Sequence, residues 1–225
     1  MRRDYPILAP EGRVHLIVAV VAGVAATWLI GYWSLIVWLP VALVFNFFRD
    51  PKRRISGRAG AVVSPASGKI VAVAEAGNPY LDGAKSLKVS IFMNIFSVHS
   101  NLIPISGTVE KCRHYPGKFF NAALDKSSSA NERNAIWIRT AAGEEVVCVQ
   151  IAGLIARRIV SSVRAGDTVA TGQRYGFIRF GSRVDLYLPT DARLVVKLGQ
   201  RVDSGNDVIG FCQHQTAGAA GAGDE

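Results

Sequence analysis

Residues 179–183, Arg-Phe-Gly-Ser-Arg, place a hydroxyl directly after a residue that has no Cβ. A glycine tolerates strained backbone angles and leaves its carbonyl sterically open. The hydroxyl of Ser182 could therefore attack the carbonyl of Gly181 and convert the peptide link into an ester. β-Elimination would then release a new chain end. On physical grounds alone a Gly-Ser pair is more often a turn or a β-bulge, and both readings stay open here. Beyond it, Val184, Leu186 and Leu188 alternate with Arg183, Asp185 and Tyr187. That period of two predicts a half-buried strand opened by Ser182.

Proton transfer at such a bond needs a group that titrates near neutrality, and imidazole is the usual one. The chain has four histidines. His99 lies in a loop between two apolar runs, His15 at the edge of a long apolar block, and His114 and His214 have no supporting context. A hydrogen-bonded structural histidine is the alternative role for His99.

The rest of the chain must position these groups. It has 225 residues, 49% hydrophobic, enough for one sizeable domain plus an appendage. Residues 15–48 are almost continuously apolar and hold Trp28, Trp33 and Trp38, a residue type favoured at membrane–water interfaces. Gly31-Tyr32-Trp33-Ser34 divides this block into two runs, each slightly shorter than a span of about 20 residues. Arg2, Arg3 and Arg13 precede it; Arg49, Lys52, Arg53 and Arg54 follow it. Basic flanks on both sides predict a helical hairpin or monotopic insertion with both ends on the cytoplasmic face. A buried core helix pair is the alternative. The net charge of +9 fits attraction to anionic head groups. No basic helix or interleaved aromatic motif points to nucleic acid. Cys112, Cys148 and Cys212 are odd in number and lack CxxC spacing, as free thiols do; no metal site is expected.

From residue 60 onward short Val-, Ile- and Phe-rich runs alternate with Gly and Pro, predicting mainly β structure. "NAIWIRT" and "EEVVCVQIAG" form a hairpin across Ala141-Ala142-Gly143. "VRAGDTVATG" and "VKLGQRVDSG" share V-x-x-G-x-x-V-x-x-G, aligning Gly166 with Gly199 and Gly172 with Gly205. Glycines at that spacing supply positive-φ turns, as in the halves of a lipoyl-type sandwich. The expected architecture is an α+β chain that is mainly β. An N-terminal apolar helical hairpin over 1–54 precedes a sandwich- or barrel-like catalytic domain over 55–212, and a disordered tail over 213–225 follows.

"FMNIFSVHS", "PGKFFNAALDK", "NERNA", "VQIAGLIARRIV" and "GQRYGFIRFGSRVDLYLP" together resemble the short bacterial form of phosphatidylserine decarboxylase. The likeness runs from "FFRDP" to about residue 210, and "RFGSRVD" is its most specific piece. The resemblance implies a zymogen that cuts itself between Gly181 and Ser182. Fragments 1–181 and 182–225 would remain associated, and Ser182 would become an amino-terminal pyruvoyl group. That carbonyl would form a Schiff base with phosphatidylserine in the membrane and accept the charge left by departing CO2, giving phosphatidylethanolamine without pyridoxal phosphate or a metal. His99 matches the family's histidine-bearing loop. Self-association is common in such β-folds, and the oligomeric state, homo-oligomer or monomer, is left open.

One departure stands out. The family usually reads Ser-Pro-Ala-Asp-Gly where this chain has Ser64-Pro65-Ala66-Ser67-Gly68. Ser67 hydrogen-bonds but cannot stabilise an imidazolium by charge, so either processing is slower or another carboxylate, Asp125 or Asp185, takes over. The lipid phosphate could be met by Arg183 or Arg179 as bidentate donors, or by Arg157-Arg158. Asn131-Glu132-Arg133-Asn134 either braces the site or pins a loop. A non-catalytic membrane-tethered lipoyl-like adapter or carrier is the alternative to the enzyme.

Overall fold

In the computed structural model the apolar block folds back on itself. The residues described are 7–122, 127–154, 158–179 and 181–212. Helix α1 (Arg13–Ile30) and helix α2 (Leu35–Phe48) are joined by a 3-10 turn at Gly31–Ser34. Gly31 adopts φ +55° at the break, a conformation in which any Cβ would be strained. The helices touch where Trp38 lies over Gly23, and the Trp38 indole donates to the Thr27 hydroxyl at 3.2 Å. At the open end Leu8 bridges Arg49 in antiparallel fashion. The helices are therefore a hairpin, as the sequence predicts, and not a buried core pair: Trp28 at its tip is 87% exposed.

Among the described residues fourteen short strands follow. β1 is Ala61–Val63, β2 Gly68–Gly77, β3 Lys85–Met93, β4 Ser100–Leu102 and β5 Gly107–Tyr115. β6 is Arg133–Arg139, β7 Glu145–Ile151, β8 Ile159–Ser161, β9 Thr168–Val169 and β10 Arg174–Ile178. β11 is Ser182–Leu188, β12 Arg193–Leu194, β13 Arg201–Val202 and β14 Val208–Phe211. An eight-stranded curled sheet has the order β13-β2-β3-β11-β7-β6-β5-β9, and two three-stranded sheets (β1-β14-β12 and β4-β10-β8) complete the architecture. β6 and β7 form the expected hairpin, with Gly143 at φ +85°. The core on one face is Ile70, Ile91, Val184, Leu186, Cys148 and Ile136.

The glycine repeat marks two matching turns. Gly166, Gly172, Gly199 and Gly205 all have positive φ. The amide of Gly166 donates to Val109 and that of Gly199 to Ile70, while Gly172 and Gly205 donate to Ile103 and Ser64. A Cβ at either Gly172 or Gly205 would strike Ile55. Each turn is also pinned by a serine. Ser106 Oγ accepts from the Thr171 amide at 2.9 Å, and Ser67 Oγ accepts from the Ser204 amide at 2.9 Å. One side-chain bond thus recurs in both halves, and at Ser204 it satisfies a backbone donor that would otherwise be buried unpaired.

The hairpin is fastened to the domain by charge and by aromatic packing. Arg174 donates to Asp50 at 3.0 Å and to Glu11 at 2.7 Å, and Asp50 also pairs with Arg53. Phe47 and Phe48 at the end of α2 pack on Phe177 of β10. The tail from residue 213 lies outside the described residues.

Candidate active site

Ser182 is the first residue of β11, which sits in the middle of the large sheet between β3 and β7. Gly181 precedes it at φ +61°. A Cβ at Gly181 would meet nothing within 4 Å, so glycine is needed there for its backbone angle and not for space. An L-residue held in this region costs about 1–2 kcal/mol. Space is instead demanded at Gly153, where a Cβ would run into the carbonyl oxygen of Gly181 and lie close to Ala122. Asn131 holds that wall in place. Its Nδ2 donates to the Phe120 and Ala152 carbonyls at 2.8 Å each, and its Oδ1 accepts from the Phe120 amide. Of the two readings of Asn131-Glu132-Arg133-Asn134, the first asparagine therefore does both: it pins a loop and, through Ala152, fixes Gly153.

The Ser182 hydroxyl is fully buried and, among the described residues, has no hydrogen-bond partner. Such an orphan normally costs stability. Ser182 is paired across the sheet with Met93, whose sulfur accepts from the Asn101 amide group at 3.8 Å. Asn101 is two residues beyond His99. The carbonyl of His99 in turn accepts from the Ile178 amide at 3.3 Å, and Ile178 lies four positions before Ser182. The histidine loop is thereby tied to both sides of the Gly181–Ser182 bond.

The His99 ring is buried, 4.2 Å between centroids from Phe47 of the hairpin and 6.2 Å from Phe177. Burial lowers its pKa to about 4, a hydrogen bond to the Ser97 backbone opposes the shift, and the Arg49 guanidinium adds to it. The sequence-based expectation of titration near working pH is thus corrected: desolvation keeps this imidazole neutral at pH 7.

β11 departs from the expected half-buried strand, since all its residues are buried. The face carrying Arg183, Asp185 and Tyr187 is covered by Tyr80 and Leu81. Arg183 is 0% exposed and grips Asp185 in a two-pronged pair, Nε to Oδ1 at 2.5 Å and Nη2 to Oδ2 at 3.0 Å. Lys88 adds a contact to Asp185 at 3.3 Å. Burial pushes the Asp185 carboxyl up, but the bonds and charge of Arg183, with Lys88, outweigh it and hold it below the usual carboxylate range. Arg183, expected as a donor to the lipid phosphate, is instead committed inside the sheet. Arg179 is half-buried. Ser67 is buried, engaged with the Ser204 amide and hydroxyl. Asp125 and Arg157 lie outside the described residues.

Gly153 and Phe47 were not singled out from sequence, and Arg49 only as a basic flank of the apolar block. Gly153 lies in the quoted "VQIAGLIARRIV", but nothing local distinguishes a glycine required by a carbonyl packed from another strand. A signal for the role of Ser67 does exist: Pro65-Ala66-Ser67-Gly68 recurs as Pro104-Ile105-Ser106-Gly107.

Comparison with known proteins adds an independent line. Residues 41–210 match the family model described as phosphatidylserine decarboxylase. A phosphatidylserine decarboxylase proenzyme of Nitrosomonas eutropha is 50% identical over 206 residues, covering 91% of this chain and 95% of that protein. Another, from Burkholderia pseudomallei, is 49% identical over 208 residues, covering 92% and 93%, and that of Nitrosomonas europaea is 50% identical over 208 residues. With the match extending over most of both chains, this chain belongs to the phosphatidylserine decarboxylase family.

Proposed function

We propose that the chain is a proenzyme that cuts its own Gly181–Ser182 bond and then decarboxylates phosphatidylserine to phosphatidylethanolamine. The observation that carries this reading is the buried Ser182 hydroxyl, unpartnered among the described residues, beside a glycine held at φ +61°. In the first step Oγ of Ser182 bonds to the carbonyl carbon of Gly181 as the C–N bond breaks and the nitrogen takes a proton. Elimination of the Cα proton and the Cβ–O bond then frees the Gly181 carboxylate. Hydrolysis of the remaining enamine, through its imine, releases ammonia and leaves a ketone at residue 182. His99, neutral at pH 7, is the base for the serine proton.

The pyruvoyl carbonyl so formed supplies the electron sink that carboxylate loss requires. The structure suits such a group, because the orphaned Oγ marks the atom that is lost in forming it. β11 is paired with β3 on one side and β7 on the other. Fragment 182–225 is thereby held within the sheet instead of departing. His99, at the buried end of the hairpin contact, also moves the proton that replaces the departing carboxylate.

In this reading the enzyme works at the cytoplasmic membrane surface, with the apolar hairpin as its anchor. α1 and α2 are roughly 27 Å and 21 Å long at the usual helical rise, both short of a core about 30 Å thick. Insertion to partial depth from one side fits those lengths and the pinned open end at Leu8 and Arg49. The test is CO2 release from phosphatidylserine vesicles by purified protein, with hydroxylamine as a ketone-blocking control. Release that is abolished by hydroxylamine supports the reading, and its absence in fully cut protein refutes it.

A further inference from the structure

Two cations face each other on the rim of the large sheet. Arg201 of β13 is registered directly opposite Lys69 of β2, and among the described residues neither side chain has an ion-pair partner. Like charges directly opposite across a sheet repel, and both side chains are exposed and open to an anion from solvent. Both side chains line a cavity of about 370 Å³ that reaches Ser97 and Val98, the two residues before His99. Arg49 closes its mouth, fixed by bonds from Nη1 to the Asn46 side chain at 2.7 Å and from Nη2 to the Phe96 carbonyl at 2.7 Å. Among the described residues Asp203 is the cavity's single carboxylate, against Arg49, Lys69 and Arg201.

The cavity is close to the cut bond. Arg201, Lys69, Phe92 and Arg183 form one cross-strand row. Lys69 is two strand spacings, roughly 10 Å, from the neighbour of Ser182. Phe96 is shared with a second cavity, of about 290 Å³, whose other walls include Pro40, Leu43, Val44 and Phe47 of the hairpin and Ile95. A cationic chamber that joins an apolar groove on a membrane-inserted helix matches one molecule with both characters.

We propose that the Arg49–Lys69–Arg201 chamber receives the phosphodiester of the substrate glycerophospholipid, while the groove along α2 takes one of its acyl chains. This rests on the decarboxylase reading above. Dispersed as monomers, dihexanoyl phosphatidylserine removes any contribution from membrane charge. On it, the processed double variant Lys69→Gln, Arg201→Gln should show a KM raised about tenfold with kcat within about twofold, because the lost contact is uniform binding. Val44→Trp, which fills the groove, should raise KM for the acylated substrate and leave competitive inhibition by glycerophosphoserine unchanged. A double variant with wild-type KM on monomers, or one weakened only on anionic vesicles, overturns the chamber. A wild type that is cut but releases no CO2 overturns the decarboxylase reading first.

Discussion

The α-carbon of Gly153 faces the carbonyl oxygen of Gly181 so closely that a side chain cannot stand between them. This fixes one wall around the carbonyl that Ser182 would attack. Gly153→Ala must push that carbonyl aside, and a displacement near 1 Å at a reacting group costs about 100-fold in rate. The uncut chain should accumulate, visible on denaturing gels over a time course from fresh translation. Cutting at the wild-type rate would mean that the wall is irrelevant to the reaction.

The Asn131 clamp acts on the same wall at one remove. Asn131→Ala removes its bonds to Phe120 and Ala152 and takes the side-chain donor from the buried Ala152 carbonyl, at a cost of about 1–3 kcal/mol. Slower self-cutting is expected, together with a lower Tm. A lower Tm with unchanged cutting would reduce Asn131 to a loop pin.

Arg183 and Asp185 stabilise each other inside the sheet, and Asp185→Leu should lower stability by about 3–5 kcal/mol by stranding the arginine charge. Replacing both with a leucine and a methionine should recover much of that loss, as measured by urea denaturation of the cut form. A single variant as stable as wild type would show that the pair is not closed in solution.

His99 makes a pH-dependent contribution. Its folded pKa, about 4, lies below the unfolded value of about 6.5, so the unfolded chain binds the extra proton first. Stability is therefore whole above pH 6.5 and falls as pH drops toward 4, by up to about 3 kcal/mol. The difference in unfolding free energy between wild type and His99→Gln should follow that slope. No pH dependence in the difference would place the imidazole in contact with water.

Much of the frame was legible because it depends on local chemistry. The V-x-x-G glycines needed only positive φ, and Gly166, Gly172, Gly199 and Gly205 all have it. The hairpin break at Gly31–Ser34 was equally local. What sequence could not give came from neighbours distant along the chain. Arg183 and Asp185 read as the outer face of a half-buried strand because alternation says nothing about the Tyr80–Leu81 segment packed on that side of the sheet, against the cluster that holds Tyr187. The lowered His99 pKa follows from burial, which is made in part by Phe47, more than fifty residues away, and local sequence carries no sign of that contact. Ser67 looked like a weakened catalytic position, whereas its bond to the Ser204 amide matches that of Ser106 to Thr171.

The account is tested most directly by intact-mass analysis of the protein purified from its own host. It predicts two polypeptides, 1–181 and 182–225, with the smaller one lighter than its encoded sequence by one ammonia and blocked to stepwise amino-terminal sequencing. Ser182→Ala should give the uncut chain alone. A single full-length polypeptide from the wild type, carrying an ordinary serine at position 182, would contradict it.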